Sequence, residues 1–163
     1  MSSSITTKRS SPWDKWRRLR RRVDAWRFGS VDPEAKLGDR GEQAAACHLR
    51  RRGYVVVAES ERDRRGEIDL IAIEPRSKCV VFAEVKTTCS TKPGHPADRV
   101  TDDKQKRIAR AALRYLKRHG MLEATVRFDV IAVWFYGSDP TIPDRLEHYE
   151  SAFDSPLDNS YYG

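Results

Sequence analysis

An α/β domain is the fold class the sequence predicts, on three observations: a helix-period segment, three successive β-rich runs, and a second amphipathic helix ahead of a continuous apolar run. Helices packed on a sheet bury these patterns together.

The elements follow in order. Residues 1–11 are Ser/Thr-rich and read as disordered. From Pro12, Trp13, Trp16, Leu19, Val23 and Trp26 recur at helical spacing among Arg17, Arg18, Arg20, Arg21 and Arg22, and Gly29 can end the helix, so 12–28 reads as a basic amphipathic helix. Such a segment suits either a nucleic-acid or anionic-membrane contact, or packing of its Trp stripe on the domain. Asp32-Pro33 is read as N-cap and N1 of a helix running to about Arg52, with Gly53 as its stop. Gly38, Glu42, Ala45 and Leu49 share one face of that helix, so a carboxylate projects from a small or apolar stripe. Tyr54 to Glu59, Glu67 to Glu74 and Cys79 to Thr87 read as strands whose short connections predict a meander. The Pro/Gly-containing stretch from Thr88 to Val100 reads as a loop. Thr101-Asp102-Asp103 then caps a second helix that ends at Gly120. Its stripe of Ile108, Ala111, Ala112, Tyr115 and Leu116 packs, while Lys106, Arg107, Arg110, Arg114, Lys117 and Arg118 leave the rest cationic. Thr125 to Phe135 is nearly all apolar, as suits a strand covered on both faces. A short strand is expected over 146–151. The organisation is therefore an extension over 1–32, one domain over 33–153 and an acidic, disordered tail over 154–163.

The second and third strands carry the chemistry. Only Pro75-Arg76-Ser77-Lys78 separates them, so they read as a hairpin with a four-residue loop. That register sets Asp69 opposite Glu84, Glu67 opposite Lys86, Ile71 opposite Phe82 and Ile73 opposite Val80, all on one face. Opposed Cβ atoms lie about 4.5–5.5 Å apart, where two carboxylates repel unless a cation or a proton intervenes. Asp69, Glu84 and the inward Glu42 thus form a candidate site for Mg²⁺ or Mn²⁺, hard cations that take oxygen ligands. Lys86, two residues from Glu84, shares its face, and Gln105 at the start of the second helix can reach over the site. Candidate phosphate contacts are Lys104, Lys106, Arg107, Arg110 and Arg114. Glu67 also fits a simple salt bridge to Lys86, and Asp129 a local pair with Arg127.

Composition bounds the function. The chain has 163 residues, 39% hydrophobic and 34% charged, enough for one soluble domain with a real core. Its longest apolar run, Val130 to Tyr136, is far short of the roughly 20 residues of a membrane span, which excludes an integral membrane protein. Net charge is +7, distributed as +6 over 1–33, +6 over 34–137 and −5 over 138–163, which points to a polyanionic partner. Cys47, Cys79 and Cys89 show no CxxC spacing and read as reduced residues of a cytoplasmic protein. His48, His95, His119 and His148 have no ligand spacing and read as structural or surface groups.

Gly41-Glu42, Gly66-Glu67-Ile68-Asp69-Leu70-Ile71, Phe82-Ala83-Glu84-Val85-Lys86, Lys104-Gln105, Arg127-Phe128-Asp129-Val130 and the closing His148 to Phe153 resemble the YraN-like family of small bacterial proteins over about residues 36–153. That family is similar to the restriction-endonuclease-like PD-(D/E)xK superfamily and to archaeal Holliday-junction resolvases. The resemblance implies a central mixed sheet flanked by helices, with Glu42, Asp69, Glu84 and Lys86 at catalytic positions and Gln105 at an auxiliary one. The usual proline before the aspartate is absent, and Ile68 stands there. Resolvases of this superfamily act as dimers, so a homodimer is implied, although no dimer surface is legible in the chain.

These readings lead to one expectation and two rivals. The first is a cytoplasmic, Mg²⁺-dependent endonuclease-like domain acting on DNA, with branched or damaged DNA as its substrate. The second is a catalytically silent DNA-binding or adaptor protein that keeps the nuclease fold. The third makes segment 12–28 an anchor to anionic membranes.

Overall fold

A computed structural model describes residues 27–63, 66–90 and 100–156. The predicted basic helix lies outside these apart from its last two residues, as do the Ser/Thr-rich start, most of the 88–100 loop, and the acidic tail beyond residue 156. In chain order the elements are α1 (Leu37–Arg51), β1 (Val55–Asp63), β2 (Gly66–Glu74), β3 (Cys79–Thr88), α2 (Asp102–Arg118), β4 (Val126–Trp134) and β5 (Arg145–Phe153).

The five strands form one sheet in the order β1-β2-β3-β4-β5. Three neighbouring pairs are antiparallel, and β3 and β4 are parallel. The first three strands are the expected meander. A parallel neighbour needs a crossover, and α2 provides it. Because α1 and α2 cover opposite faces, β4 is buried on both sides, which accounts for its largely apolar sequence, broken only by Arg127 and Asp129. On one face Ala45 and Leu49 of α1 pack with Leu70, Ala72, Val81, Ile131 and Val133. On the other, Ile108, Ala112 and Leu116 of α2 pack with Ile71, Phe82 and Val130. Leu49 is fully buried, worth about 1.5–3 kcal/mol relative to an exposed leucine.

Local chemistry explains where the helices begin and end. The first starts at Leu37 rather than Pro33, because the Asp32 carboxylate accepts the Glu34 amide at 2.9 Å and its carbonyl accepts the Ala35 amide at 3.2 Å. That Asx turn competes with helix at the predicted cap. At the other end Gly53, with φ 88°, gives its amide to Arg50, and Tyr54 gives its own to Leu49. This pair of bonds satisfies the last carbonyls and stops α1 where the sequence expects. In α2 the Thr101 hydroxyl caps the Lys104 amide, with Asp102 and Asp103 in the first turn, again as expected. The last strand is longer than the six residues predicted, taking in Arg145 at one end and Ala152-Phe153 at the other, where Phe153 pairs with Phe128 and packs on the core.

One glycine sets the approach of α1 to the sheet. A Cβ at Gly41 would lie 1.8 Å from Thr87 Oγ1 and 2.8 Å from Thr87 Cβ, so only glycine lets the helix come this close to β3. The next residue, Glu42, is thereby brought to the carboxyl half of that strand.

A forked sheet and its candidate active site

The hairpin register holds for five pairs, from Glu74↔Cys79 to Leu70↔Ala83, and then stops. Beyond it β2 stays on β1, while β3 continues along β4 through Glu84↔Val130 and Thr88↔Trp134. The two strands part at Asp69. Its Oδ2 accepts the Val85 amide at 2.7 Å, so a carboxylate stands where a backbone carbonyl would continue the ladder. Ile68 and Leu70 are two residues apart yet pack on opposite faces, which marks a sharp twist at the same point.

The expected pairing of Glu67 with Lys86 is absent. Glu67 instead meets Arg62 at 3.3 Å, and Lys86 Nζ donates to Glu84 Oε1 at 2.7 Å. The physical reason is the fork itself, which carries the two strands apart beyond Asp69. Glu84 is only 3% exposed and, among the described residues, is one of two buried charged residues of the core. Its second oxygen, Oε2, lies 3.2 Å from Lys104 Nζ as an ion pair, but without the alignment of a hydrogen bond. Lys104, which the sequence suggests as a phosphate contact, is therefore a second ammonium at this carboxylate.

Asp69 is half-buried, and burial together with the charges of Glu84 and Glu42 pushes its carboxyl up to about 7. The Val85 amide and Lys104 oppose that rise without cancelling it. Glu42 thus reaches Asp69 electrostatically, while its own Oε2 accepts the Ser60 hydroxyl. Among the described residues no three His, Cys, Asp or Glu side chains converge tightly enough to hold a metal ion as they stand. Gln105 turns its amide to the Val100 carbonyl at 3.1 Å and is not directed at the carboxylates.

The fork opens at the carboxyl ends of the parallel pair, beside the N-terminal turns of both helices, the position where open α/β sheets bind ligands. From there α2 runs outward with Lys106, Arg107, Arg110 and Lys117 exposed and without ion pairs among the described residues. Arg114 is half-buried, close to Gly66, and Arg118 pairs with Glu61. A cleft of about 360 Å³ between α2 and the end of β5 is lined mainly by groups such as Leu113, Phe128 and Phe153 and holds none of the carboxylates of the fork.

A second polar cluster lies on the α1 face, away from the fork. Asp129 is fully buried and bonded through Arg127 Nε and Nη2 at 2.9 Å each, His148 Nε2 at 2.7 Å and the Ser151 amide at 3.0 Å. Burial alone would raise its carboxyl, but these donors outweigh it and hold the group below its ordinary value. Arg52 Nη1 lies 2.9 Å from His148 Nδ1, and arginine only donates, so the ring carries its proton on Nε2. His48 stacks edge-on to His148, and burial above all, then the competition of the two rings for a second proton and the charges of Arg52 and Arg51, lowers it to about 4. The local Arg127–Asp129 pair is legible in the sequence. Its continuation to His148 and to Tyr54, whose hydroxyl accepts from Arg127 at 2.9 Å, is not.

A mixed sheet with a helix on each face and a carboxylate, carboxylate and lysine fork defines an α/β protein of the restriction-endonuclease-like kind. The chain belongs to UPF0102, the YraN-like family, described as an uncharacterised protein family, whose model matches residues 41–133. It is 59% identical over 146 residues to a UPF0102 protein of Rhodopirellula baltica, covering 90% of this chain and 87% of that one. Relatives in Chlorobaculum tepidum and Trichlorobacter lovleyi are 46% and 44% identical over 119 residues, covering 72% of this chain and 91% and 90% of theirs. No helix among the described residues is long and apolar enough to cross a membrane.

Proposed function

We propose that this protein is a divalent-metal-dependent, nuclease-like enzyme that hydrolyses DNA phosphodiesters, with branched DNA as its preferred substrate. The observation that carries the reading is the fork, where Asp69 and Glu84 stand as neighbouring carboxylates, the charge of Glu84 raising the carboxyl of Asp69, and Lys86 and Lys104 both reach Glu84. The donor set fits a hard cation. Glu84 Oε2 is buried without a hydrogen bond, and Asp69 is loaded with negative charge from Glu84 and Glu42. Asp69 and Glu84 would hold Mg²⁺ or Mn²⁺, with Glu42 as third carboxylate. When bound, such a cation supplies Lewis acidity and lowers the pKa of a coordinated water. Lys86 and Lys104 then neutralise developing charge on the phosphoryl oxygens, since each ammonium is held within one side chain's length of the carboxylates. The unpaired cations of α2 hold the backbone of the same strand beside the fork. The three free cysteines suit a reducing cytoplasm, and a two-fold symmetric junction would be served by a homodimer.

Purified protein is expected to cleave duplex, forked or four-way DNA with Mg²⁺ or Mn²⁺, and Glu84→Ala to lose this by at least about a hundredfold. Equal cleavage by the variant would mean a contaminant and sink the catalytic reading. Neutralising Lys106, Arg107, Arg110 and Lys117 together is expected to make the slope of log K against log salt shallower by about 3 to 4. An unchanged slope in a filter-binding series would remove α2 from the interface.

A second reading is a DNA-binding or adaptor protein without turnover. It is favoured by the two ammonium groups that already compensate Glu84 and by the lack of a converged third carboxylate. It predicts salt-sensitive DNA binding with no metal-dependent cleavage.

A further inference from the structure

We propose that Ser60 is a positioning residue of the fork, whose hydroxyl holds Glu42 with one carboxylate oxygen left free to join Asp69 and Glu84 around a divalent cation. The inference rests on the metal reading given above and assigns a role to a residue outside the carboxylate and lysine set.

Ser60 has three unusual properties at once. Its backbone lies in the left-handed region at φ 51°, which serine adopts at a cost because its Cβ crowds the following carbonyl. It sits in β1 between the pairs Glu59↔Leu70 and Glu61↔Ile68, which sets it opposite Asp69. Its hydroxyl donates to Glu42 Oε2 from across the α1–β1 packing. Left-handed backbone in mid-strand re-aims a side chain that regular alternation would point elsewhere. Here the re-aimed group meets the one carboxylate that α1 delivers to the fork.

The hydrogen bond restrains a side chain that would otherwise sample several rotamers. Glu42 Oε1 has no partner among the described residues, so it remains available as a ligand. A ligand carboxylate oriented by a neighbouring donor binds metal more tightly than a mobile one. The three carboxylates do not yet converge. Glu42 is therefore held on Ser60, near enough to Asp69 for its charge to bear on that carboxyl.

A purely structural bulge makes the opposite prediction from a positioning donor, and two substitutions separate them. Ser60→Gly relieves the left-handed backbone but removes the donor. Ser60→Asn keeps a donor on a residue that tolerates this conformation. The measurement is Mn²⁺ binding by the full chain, followed by electron paramagnetic resonance of free Mn²⁺, with thermal melts taken without metal. Ser60→Gly is expected to melt no lower than the parent protein and to bind Mn²⁺ about tenfold more weakly. Ser60→Asn is expected to stay within about twofold of the parent, as second-sphere replacements that keep the donor do. Parent-like affinity in Ser60→Gly, or an Ser60→Asn variant as weak as Ser60→Gly, overturns the role of the hydroxyl while leaving the metal reading intact. Failure of the parent protein itself to bind Mn²⁺ overturns the metal reading, and this inference with it.

Discussion

Asp129→Ala is expected to cost about 3–5 kcal/mol of folding stability and to lower the melting temperature by roughly 10 °C or more. The carboxylate is fully buried and receives four donated bonds, from Arg127 twice, His148 and the Ser151 amide. Its removal leaves a guanidinium with 16% side-chain exposure facing no charge at that position, and a ring N–H and an amide without an acceptor. Glu150 at 3.1 Å and Glu74 at 3.6 Å still face Arg127 Nη1, but they reach the other side of the guanidinium. The penalty is therefore that of a broken buried network, with Arg127 Nε and Nη2, a ring N–H and an amide losing their acceptor together, rather than of one lost hydrogen bond. The carboxyl is held low in the folded state, so its contribution is present above the unfolded value near 4 and is lost as pH falls through the folded value. Urea unfolding of parent and variant at pH 7 and again near pH 3 measures both effects. A loss below about 1 kcal/mol at pH 7 would show that the network has an alternative satisfied arrangement.

The hairpin was the most legible part of the fold because two signals agree there. Alternation on both strands and a short loop leave one register that buries Ile71 and Phe82 together, and five pairs follow it. The burial of β4 on both faces is legible for a similar reason, since only a strand covered twice needs the apolar run of Val130 to Phe135. What the pattern does not carry is any substitution of a side chain for backbone. Asp69 takes the Val85 amide and ends the ladder, Asp32 takes the Glu34 amide and delays α1, and both events look regular in the sequence. Ser60 is hidden in the same way, because serine, unlike glycine or asparagine, gives no sign of left-handed backbone. The pairings of Lys104 and His148 escape the sequence for a topological reason. Their partners, Glu84 and Asp129, lie on other elements, and no spacing rule joins a helix N-terminus or a last strand to a central one. Candidate carboxylates were therefore easier to identify than the cations and donors that tune them.

Asp69→Asn is expected to abolish metal-dependent cleavage and at the same time to stabilise the fold at alkaline pH. Burial and two neighbouring carboxylates raise this group from 3.8 to about 7, so the folded chain binds a proton that the unfolded chain has already released. Stability from that proton is fully present below the unfolded value near 4 and is lost as pH rises through about 7. Above pH 7 the folded protein carries the whole cost of an ionised Asp69. Moving a carboxyl from 3.8 to about 7 corresponds to about 4 kcal/mol at full effect, and solvent access to a half-buried group reduces that to about 2. An amide at this position keeps an oxygen for the Val85 N–H, so the β2–β3 fork retains its closing hydrogen bond. The variant should thus be about 2 kcal/mol more stable than the parent at pH 8 and nearly equal to it at pH 4, by chemical denaturation without added metal. Equal stability at both pH values would show that Lys86 and Lys104, which both pair with Glu84, offset the cost of ionising Asp69 beside it. Lower stability at pH 8 would mean that Asp69 gains more from its neighbours as a charge than it loses through burial and repulsion. A cost to the fold that vanishes when the carboxylate is removed is what a site held ready for a cation should display, because residues chosen for packing alone would have no reason to keep Glu84 and Glu42 near enough to Asp69 to raise its carboxyl.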